Sequence, residues 1–330
     1  MDFWERLFAS VPDNDFLEAT ACPACQGSEA ATLSRLGPTF LKRCLACGLV
    51  YSSPRLSGSL RDAMYRQNPG SLTPELDGML ERLMAERLGH LRREMFPLSA
   101  AASRDAALFE VGSGWGHFLH LSRAHFRRVS GAELSAGQAA HSREKFGLDI
   151  TERDVFPADL PEKQDVIAAF ELLEHLPRPA LFLAWAHANL KPGGQLAVST
   201  PNYASLYRRL LGPRWFYFIP SQHLTYFSPA TLTALLRKIG FREVRVFTSG
   251  RSLLRERRND HNRIDSSLDA RGQWLQTLRI RDAIEAERDS TALDRGNPFK
   301  RAWHGAVWRL LQPLTTGGYG DQMRVYARKG

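Results

Sequence analysis

This sequence predicts an α/β fold, a parallel sheet wrapped by helices on both faces, preceded by a small separate module. Three observations carry that reading. Strand-like apolar runs alternate with helical segments from residue 106 onward. Three glycines stand at every second position directly after the first of those runs, in FEVGSGWGHF, residues 109–118. Two Cys-x-x-Cys pairs, Cys22/Cys25 and Cys44/Cys47, are separated by 18 residues near the start.

The 330 residues are 43% hydrophobic and 24% charged, enough for a full α/β domain with a sizeable core plus a smaller module. No apolar run approaches the roughly 20 residues that span a bilayer. The opening MDFWERLFAS is acidic and aromatic, unlike a basic-then-apolar export leader, so a cytoplasmic protein is expected. Much of the net charge of +9 sits after residue 205, in LYRRLLGPRW, RSLLRERR and NPFKRAWHGAVWRLL. A basic half of this kind fits nucleic acid, an anionic lipid surface, a phosphorylated small molecule or a plain solvated surface.

The paired cysteines suit a tetrahedral zinc, each knuckle supplying two thiolates, with Pro23, Gly27 and Gly48 supporting the turns. Disulfides and a redox pair fit poorly, because a cytosolic thiol pool is reduced and no thioredoxin-like βαβ unit surrounds either pair. Four cysteine ligands leave no open position, so this zinc would be structural. The ribbon module is expected at 1–55, a helical linker at 56–98, the main domain at 99–250, and a basic helical extension with a final strand at 251–330.

SGSLRDAMYRQ and PELDGMLERLMAERLGHLRREMF read as helices, the second with a stripe of Leu76, Leu80, Met84, Leu88 and Leu91. Alternation follows: strand 106–111, a helix from about 116, strand 127–132, helix 136–146 and a short strand at 149–151. It continues with strand 165–170, helix 179–190, strand 195–199, helix 229–239 and strand 241–248. DQMRVYARKG alternates as a last strand, with Met323, Val325 and Ala327 on one face. Ser135 and Gln138 read as a capping box. Pro179 and Pro229 suit first helical turns, the latter after an N-cap at Ser228. KPGG, 191–194, stops one helix and turns into the next strand.

The glycines Gly112, Gly114 and Gly116 let a nucleotide approach the backbone. A nicotinamide or flavin turn wants its third glycine at 117, where this chain has His117. Glu133, closing the next strand, can accept both ribose hydroxyls, a device that dehydrogenases share.

FEVGSGWGHF, GAELS, DVIAAFELLEHLPRPALFLAWAHANLKPGGQLAVSTPN and HLTYFSPATLTALLRKIGF occur in order and at matching spacing. Together they resemble the class I S-adenosylmethionine-dependent methyltransferases, above all the branch whose fourth strand runs into L-E-H-L and whose fifth ends in S-T-P-N. The resemblance covers roughly residues 75–250 and 320–330. The cysteine module, ending CGLVYSSP, is similar to the zinc module preceding some sugar C-methyltransferases. The resemblance implies a Rossmann-like, seven-stranded methyltransferase sheet, S-adenosylmethionine as cofactor, and a small-molecule acceptor such as a nucleotide-linked sugar, glycan precursor or lipid-linked metabolite. It places Gly112, Ser113, Gly114 and Gly116 against the donor, Glu110 at the strand's end and Glu133 on the ribose. Asp154 would meet the adenine amino group or stand as a loop charge, and Glu171 would line the donor pocket. Glu174 and His175 sit where substrate enters or only begin a helix.

A sulfonium methyl is already activated, so the protein must align the acceptor and, for a hydroxyl or acidic carbon, take its proton. His223 in SQHLTYFSP is the candidate base, with an ordinary pKa near 6.5; bracing its loop is the alternative role. The branch often has Glu-His here, followed by Tyr-Phe-Ser; this chain has Gln222-His223 and Tyr226-Phe227-Ser228, so no carboxylate stands at 222. Tyr226 and Arg214 join the substrate candidates. GPRWFYFIP, 212–220, roofs an acceptor pocket or plugs the sheet edge, and Arg208, Arg209 and Arg214 grip a diphosphate or decorate the surface. The helix bearing Phe299, Trp303, Val307 and Leu310 closes the site, lies on a membrane or packs on the domain. An RNA methyltransferase is the rival reading, motivated by the zinc module and basic charge. Against it, an Asn/Asp-Pro-Pro-aromatic motif is absent, and zinc would leave no cysteine nucleophile. A noncatalytic donor-binding or zinc-mediated interaction protein is the remaining alternative.

Overall fold

The computed structural model describes residues 3–12, 15–67, 72–97, 105–152, 159–250, 267–279 and 315–330. The N-terminal part contains α1 (Phe3–Ala9), β1 (Leu17–Glu18), β2 (Ala30–Leu36), β3 (Thr39–Cys44), β4 (Val50–Ser53), β5 (Arg55–Leu56) and α2 (Gly58–Gln67). After α3 (Pro74–Glu94) come β6 (Ala107–Val111), α4 (His117–Ser122), β7 (Arg128–Ala132), α5 (Ala136–Phe146), β8 (Asp149–Thr151) and β9 (Gln164–Phe170). The rest comprises α6 (Pro179–Asn189), β10 (Leu190–Pro201), α7 (Leu206–Leu211), β11 (Thr225–Tyr226), α8 (Pro229–Ile239), β12 (Phe241–Ser249) and β13 (Gln322–Lys329).

Seven strands form the main sheet in the order β12-β13-β10-β9-β6-β7-β8. β8, β7, β6, β9 and β10 run parallel, while β13 lies antiparallel between β10 and β12. The chain winds outward from β6 to β8 and then crosses back to lay β9 on the other side of β6. That reversal opens a crevice at the carboxyl ends of β6 and β9, where doubly wound sheets bind their ligands.

Burial on both faces follows from strand periodicity. Leu108, Val166, Ala168 and Ala197 meet Leu88 and Leu91 of α3, Phe118 and Leu119 of α4, and Ala139 of α5. Their sequence neighbours Phe109, Ile167, Ala169, Leu196 and Val198 face the opposite layer, against Phe182 and Leu183 of α6 and Leu232 and Leu236 of α8. Each fully buried large side chain contributes about 1.5–3 kcal/mol of transfer free energy. Of the expected α3 stripe, Leu88 and Leu91 are buried, and Leu76 and Leu80 are half-buried.

Two local expectations are corrected. Ser135 Oγ accepts from the Gln138 amide at 3.5 Å, but the Ser135 amide donates to Glu133 Oε1 at 2.9 Å, so no reciprocal box forms there. A complete capping box closes α8 instead: Ser228 Oγ accepts from the Thr231 amide at 3.2 Å, and Thr231 Oγ1 accepts from the Ser228 amide at 2.9 Å. Lys191–Gly194 do not precede their strand; they bulge within β10, between Leu190, paired with Gln164, and Gln195, paired with Val166.

The cysteine module is a second sheet, ordered β11-β4-β3-β2. Its fourth strand comes from residues 225–226, far along the chain, and pairs antiparallel with Val50 and Tyr51. A satellite core joins Trp4 and Phe8 of α1 and Leu60 of α2 to Trp274 and Leu278. Asp154, the basic segment 251–258 and the helix expected around 297–311 lie outside the described residues. Among the described residues, no helix is long and apolar enough to cross a membrane.

Candidate active site

The turn after β6 is shaped by its glycines. Gly112, Gly114 and Gly116 have φ of 72°, 55° and 84°, the left-handed region that glycine enters without penalty. A Cβ at Gly116 would lie 2.7 Å from Ser142 Oγ and 2.8 Å from Leu148 Cδ1, so this glycine serves close packing. A Cβ at Gly114 would meet nothing nearer than Gln138 Oε1 at 3.8 Å, leaving open approach to the turn. Glu133, directly after β7, accepts from the Gly114 amide at 2.8 Å and the Ser135 amide at 2.9 Å, fixing the turn against β7. Ser113 Oγ and Glu110 Oε2 are buried without hydrogen-bond partners. Burial pushes the Glu110 carboxyl well above the usual carboxylate range; the charge of Arg87 opposes this and that of Glu133 adds to it. An open glycine cradle, unpartnered polar atoms and a carboxylate at its rim fit an adenosine-bearing donor.

Glu171 directly follows β9, a non-glycine residue with φ of 50°, the sort of backbone outlier that gathers at functional sites. Its carboxylate accepts from Ser199 Oγ at 2.6 Å and from Gln322 Nε2 at 3.1 Å. The 3-10 turn Leu173–His175 follows. Glu174 is buried, with Oε2 accepting from Thr200 Oγ1 at 2.9 Å. Burial, with the charge of Glu171 adding to it, raises its pKa well above the usual range. His175 Nδ1 lies 2.9 Å from Tyr65 Oη of α2.

A cavity of about 380 Å³ opens beside these residues. Glu171, Glu174, His175 and His223 line it, as do Arg87 and His90 of α3. Side chains of the 212–220 segment go two ways. Phe216, Tyr217 and Ile219 line the cavity, while Trp215 and Phe218 sink into a core with Leu36, Leu41 and Val50 of the cysteine module. His223 Nδ1 is 2.7 Å from the Tyr217 carbonyl, which can only accept, so Nδ1 carries the proton and Nε2 the lone pair. Burial lowers the His223 pKa to about 4, against the opposing bond to Tyr217, and lowers His175 well below its ordinary value, with His223 adding to it and a hydrogen bond to the Gln222 backbone opposing it. Both imidazoles are therefore neutral at pH 7.

Other candidates fall away from the cavity. Arg214 is exposed in a short 3-10 turn. Arg208 donates Nε to the Tyr203 carbonyl at 2.8 Å, and Arg209 lies over the Tyr319 ring. Tyr226 is buried in the aromatic core shared with the cysteine module. Tyr65, Arg87, His90, Gln322 and Arg324 escape a motif reading, since they come from α2, α3 and β13 and meet the L-E-H-L turn only in three dimensions.

Two matching knuckles bring the four cysteines together. The amides of Gln26 and Gly48 donate to the carbonyls of Cys22 and Cys44 at 2.8 and 3.0 Å. Gln26, with φ of 62°, holds the position that Gly48, with φ of 75°, holds in the second knuckle, so Gly27 is not the first knuckle's left-handed residue. Sγ atoms of Cys22 and Cys47, and of Cys25 and Cys44, are 3.5 Å apart, and all four lie within 4.8 Å of one another. Bonds of about 2.3 Å to a tetrahedral zinc imply sulfur separations of about 3.8 Å, which this cluster fits.

A family model described as "Methyltransferase domain" matches residues 80–246, half of the chain, from α3 into β12. The chain belongs to the methyltransferase domain family. A "Probable S-adenosylmethionine-dependent methyltransferase" of Mycolicibacterium smegmatis is 32% identical over 142 residues, covering 42% of this methyltransferase-family chain and 52% of that protein. A ubiquinone biosynthesis O-methyltransferase of Nitrobacter winogradskyi is 36% identical over 100 residues, 29% of this chain and 38% of that one. The chain thus spans about half the length, or less, of these curated relatives. A solved S-adenosylmethionine-dependent methyltransferase from Archaeoglobus fulgidus aligns with a TM-score of 0.45 at 16% identity, over 76% of this chain and 94% of that one.

Proposed function

We propose that the chain transfers a methyl group from S-adenosylmethionine to a hydroxyl-bearing small molecule held in the cavity beside Glu171. One observation carries this reading: the glycine turn after β6 and the cavity-lining Glu171 after β9 follow the carboxyl ends of two neighbouring parallel strands, at the point where the sheet's winding reverses. Gly112, Ser113, Gly114 and Glu133 would hold the donor, which when bound supplies a methyl on a positively charged sulfur. Glu110 backs the turn, and Glu171 stands between donor and acceptor.

A cavity of about 380 Å³ is of the size that takes small molecules rather than polymer chains. Its uncommitted polar atoms, Nε2 of His223 and Oε1 of Glu174 among them, can accept hydrogen bonds, so an acceptor bringing hydroxyl donors suits it. His223 would receive the hydroxyl's hydrogen bond at Nε2, and its low proton affinity means that a proton taken there is passed on rather than kept. Phe216, Tyr217 and Ile219 exclude water. The relatives named for ubiquinone biosynthesis are O-methyltransferases, which supports oxygen as the methylated atom. The four cysteines would hold a structural zinc, since among the described residues the cluster consists of these four thiols, and four thiolates fill a tetrahedral ion's shell.

The test is calorimetry with S-adenosylmethionine, followed by radiolabelled methyl transfer into a small-molecule extract. Donor binding with label in low-mass products is expected. Preferential binding of a nicotinamide cofactor, or label only in RNA or protein, would overturn the reading.

A further inference from the structure

We propose that Glu174, His175 and His223 form a divalent transition-metal site inside the cavity, separate from the cysteine cluster. One ligand atom from each of the three lies within 4.8 Å of the others. Each side chain is also tethered through its other polar atom. His223 donates Nδ1–H to the Tyr217 carbonyl at 2.7 Å, His175 Nδ1 meets Tyr65 Oη at 2.9 Å, and Glu174 Oε2 accepts from Thr200 Oγ1 at 2.9 Å. His223 and Glu174 each keep one lone-pair atom; His175 keeps one at Nε2 in the tautomer whose Nδ1–H donates to Tyr65 Oη, and there a cation would displace its hydrogen bond to the Gln222 backbone. Tethering of a ligand's second atom is how proteins aim metal-binding histidines and carboxylates.

The remaining oxygen, Glu174 Oε1, is buried with no hydrogen-bond partner. His175 Nε2, at 4.0 Å, is too far to share a proton with it. A cation between the three atoms would satisfy that oxygen and both imidazole lone pairs together. Two imidazoles and one carboxylate favour zinc, iron(II), manganese or cobalt over magnesium and calcium, which prefer all-oxygen shells. Three protein ligands also leave coordination positions open, unlike four thiolates. All three ligands line the cavity; with the cation bound, His223 Nε2 ligates the metal instead of accepting the hydroxyl's hydrogen bond, and an oxygen-bearing acceptor would complete the shell. That role rests on the methyltransferase reading; the site itself does not.

The experiment uses the full chain with zinc on its cysteines, titrated with cobalt(II). One further equivalent is expected, with visible ligand-field absorption and without the near-ultraviolet band of cobalt–thiolate bonds. Glu174→Gln, His175→Gln and His223→Gln should each weaken cobalt binding at least about tenfold. Tyr65→Phe keeps all three ligands and should weaken it by about tenfold as the His175 tether is lost. Circular dichroism and S-adenosylmethionine titration of each variant separate misfolding, or failure of the methyltransferase reading, from loss of the site. No further equivalent in the wild-type chain, or unchanged cobalt affinity in well-folded Gln variants, overturns the proposal.

Discussion

The amide of Ser52, in the cysteine module, donates to the carbonyl of Leu224 at 3.0 Å. Leu224 in turn donates its amide to the carbonyl of Glu174 at 2.7 Å, so three hydrogen-bonded segments link the cysteine knuckles to the cavity wall. Removing the proposed zinc should therefore be felt at the acceptor side. Cys44→Ser is expected to lose the metal, lower Tm by about 5 °C or more, and reduce acceptor turnover while donor affinity holds. Metal analysis, melting curves and donor calorimetry check this; a metal-free variant with normal turnover would disprove the linkage.

Glu133 holds two turn amides as well as facing the proposed ribose. Glu133→Ala should cost roughly 1.5–3 kcal/mol of donor binding, about tenfold or more in Kd. Glu133→Gln keeps one accepting oxygen and should fall between. Calorimetry showing wild-type affinity in the Ala variant would remove Glu133 from the donor site.

Two alternating glycines should fail differently. Gly116→Ala places a methyl against Ser142 and Leu148 on a left-handed backbone, and should destabilise the fold by about 2 kcal/mol or more. Gly114→Ala meets open space and carries only the left-handed backbone penalty of about 1–2 kcal/mol, so it should lose less stability than Gly116→Ala and lose donor affinity as well. Denaturant titration and calorimetry on both variants distinguish these outcomes.

The buried histidines give stability a defined pH dependence. Burial depresses the folded-state pKa of His223 to about 4, below its unfolded value, and depresses His175 in the same sense. Their neutral burial costs nothing above the unfolded pKa, near 6.5. As pH falls from there towards 4, the unfolded chain takes protons that the folded chain refuses, and stability drops. Glu110 and Glu174 act oppositely: their raised folded-state pKa values make stability fall as pH rises above the ordinary carboxylate range. His223→Asn should therefore flatten the loss between pH 6.5 and 4, measured by urea unfolding at a series of pH values. An unchanged slope would contradict the burial of a neutral imidazole.

His223 is also the residue proposed to meet the acceptor. His223→Ala should lower turnover about 10²–10⁴-fold with donor affinity nearly constant. Asn at this position can keep a bond to the Tyr217 carbonyl, so near-normal turnover in a folded Asn variant would make the histidine a loop brace only.

Local chemistry explains what the sequence made legible. α5 and α8 have the expected bounds because Ser135, Ser228 and Pro229 write their starts into adjacent residues. The glycine turn and the L-E-H-L turn are likewise short-range signals. The two-residue β11 carries no periodicity and is defined only by pairing with Val50 and Tyr51, some 175 positions earlier. Tyr65, Thr200 and Gln322 matter because of atoms they meet across the fold, and nothing beside them in sequence marks that. Sequence alone does not place Arg214, which is exposed and outside the cavity lining, because an arginine beside an aromatic run reads the same whether it faces a cavity or water.

The placement of β13 constrains how the chain is made. β10 and β12 both pair with this strand, yet more than seventy residues separate Ser249 from Gln322. During synthesis, the ribosome therefore presents two open strand edges until residues 322–329 emerge. Exposed edges of this kind recruit other chains. A nascent polypeptide stalled between residues 250 and 320 would already carry the glycine turn and both cysteine knuckles, yet lack the strand that joins its sheet, and would be a natural client for chaperones.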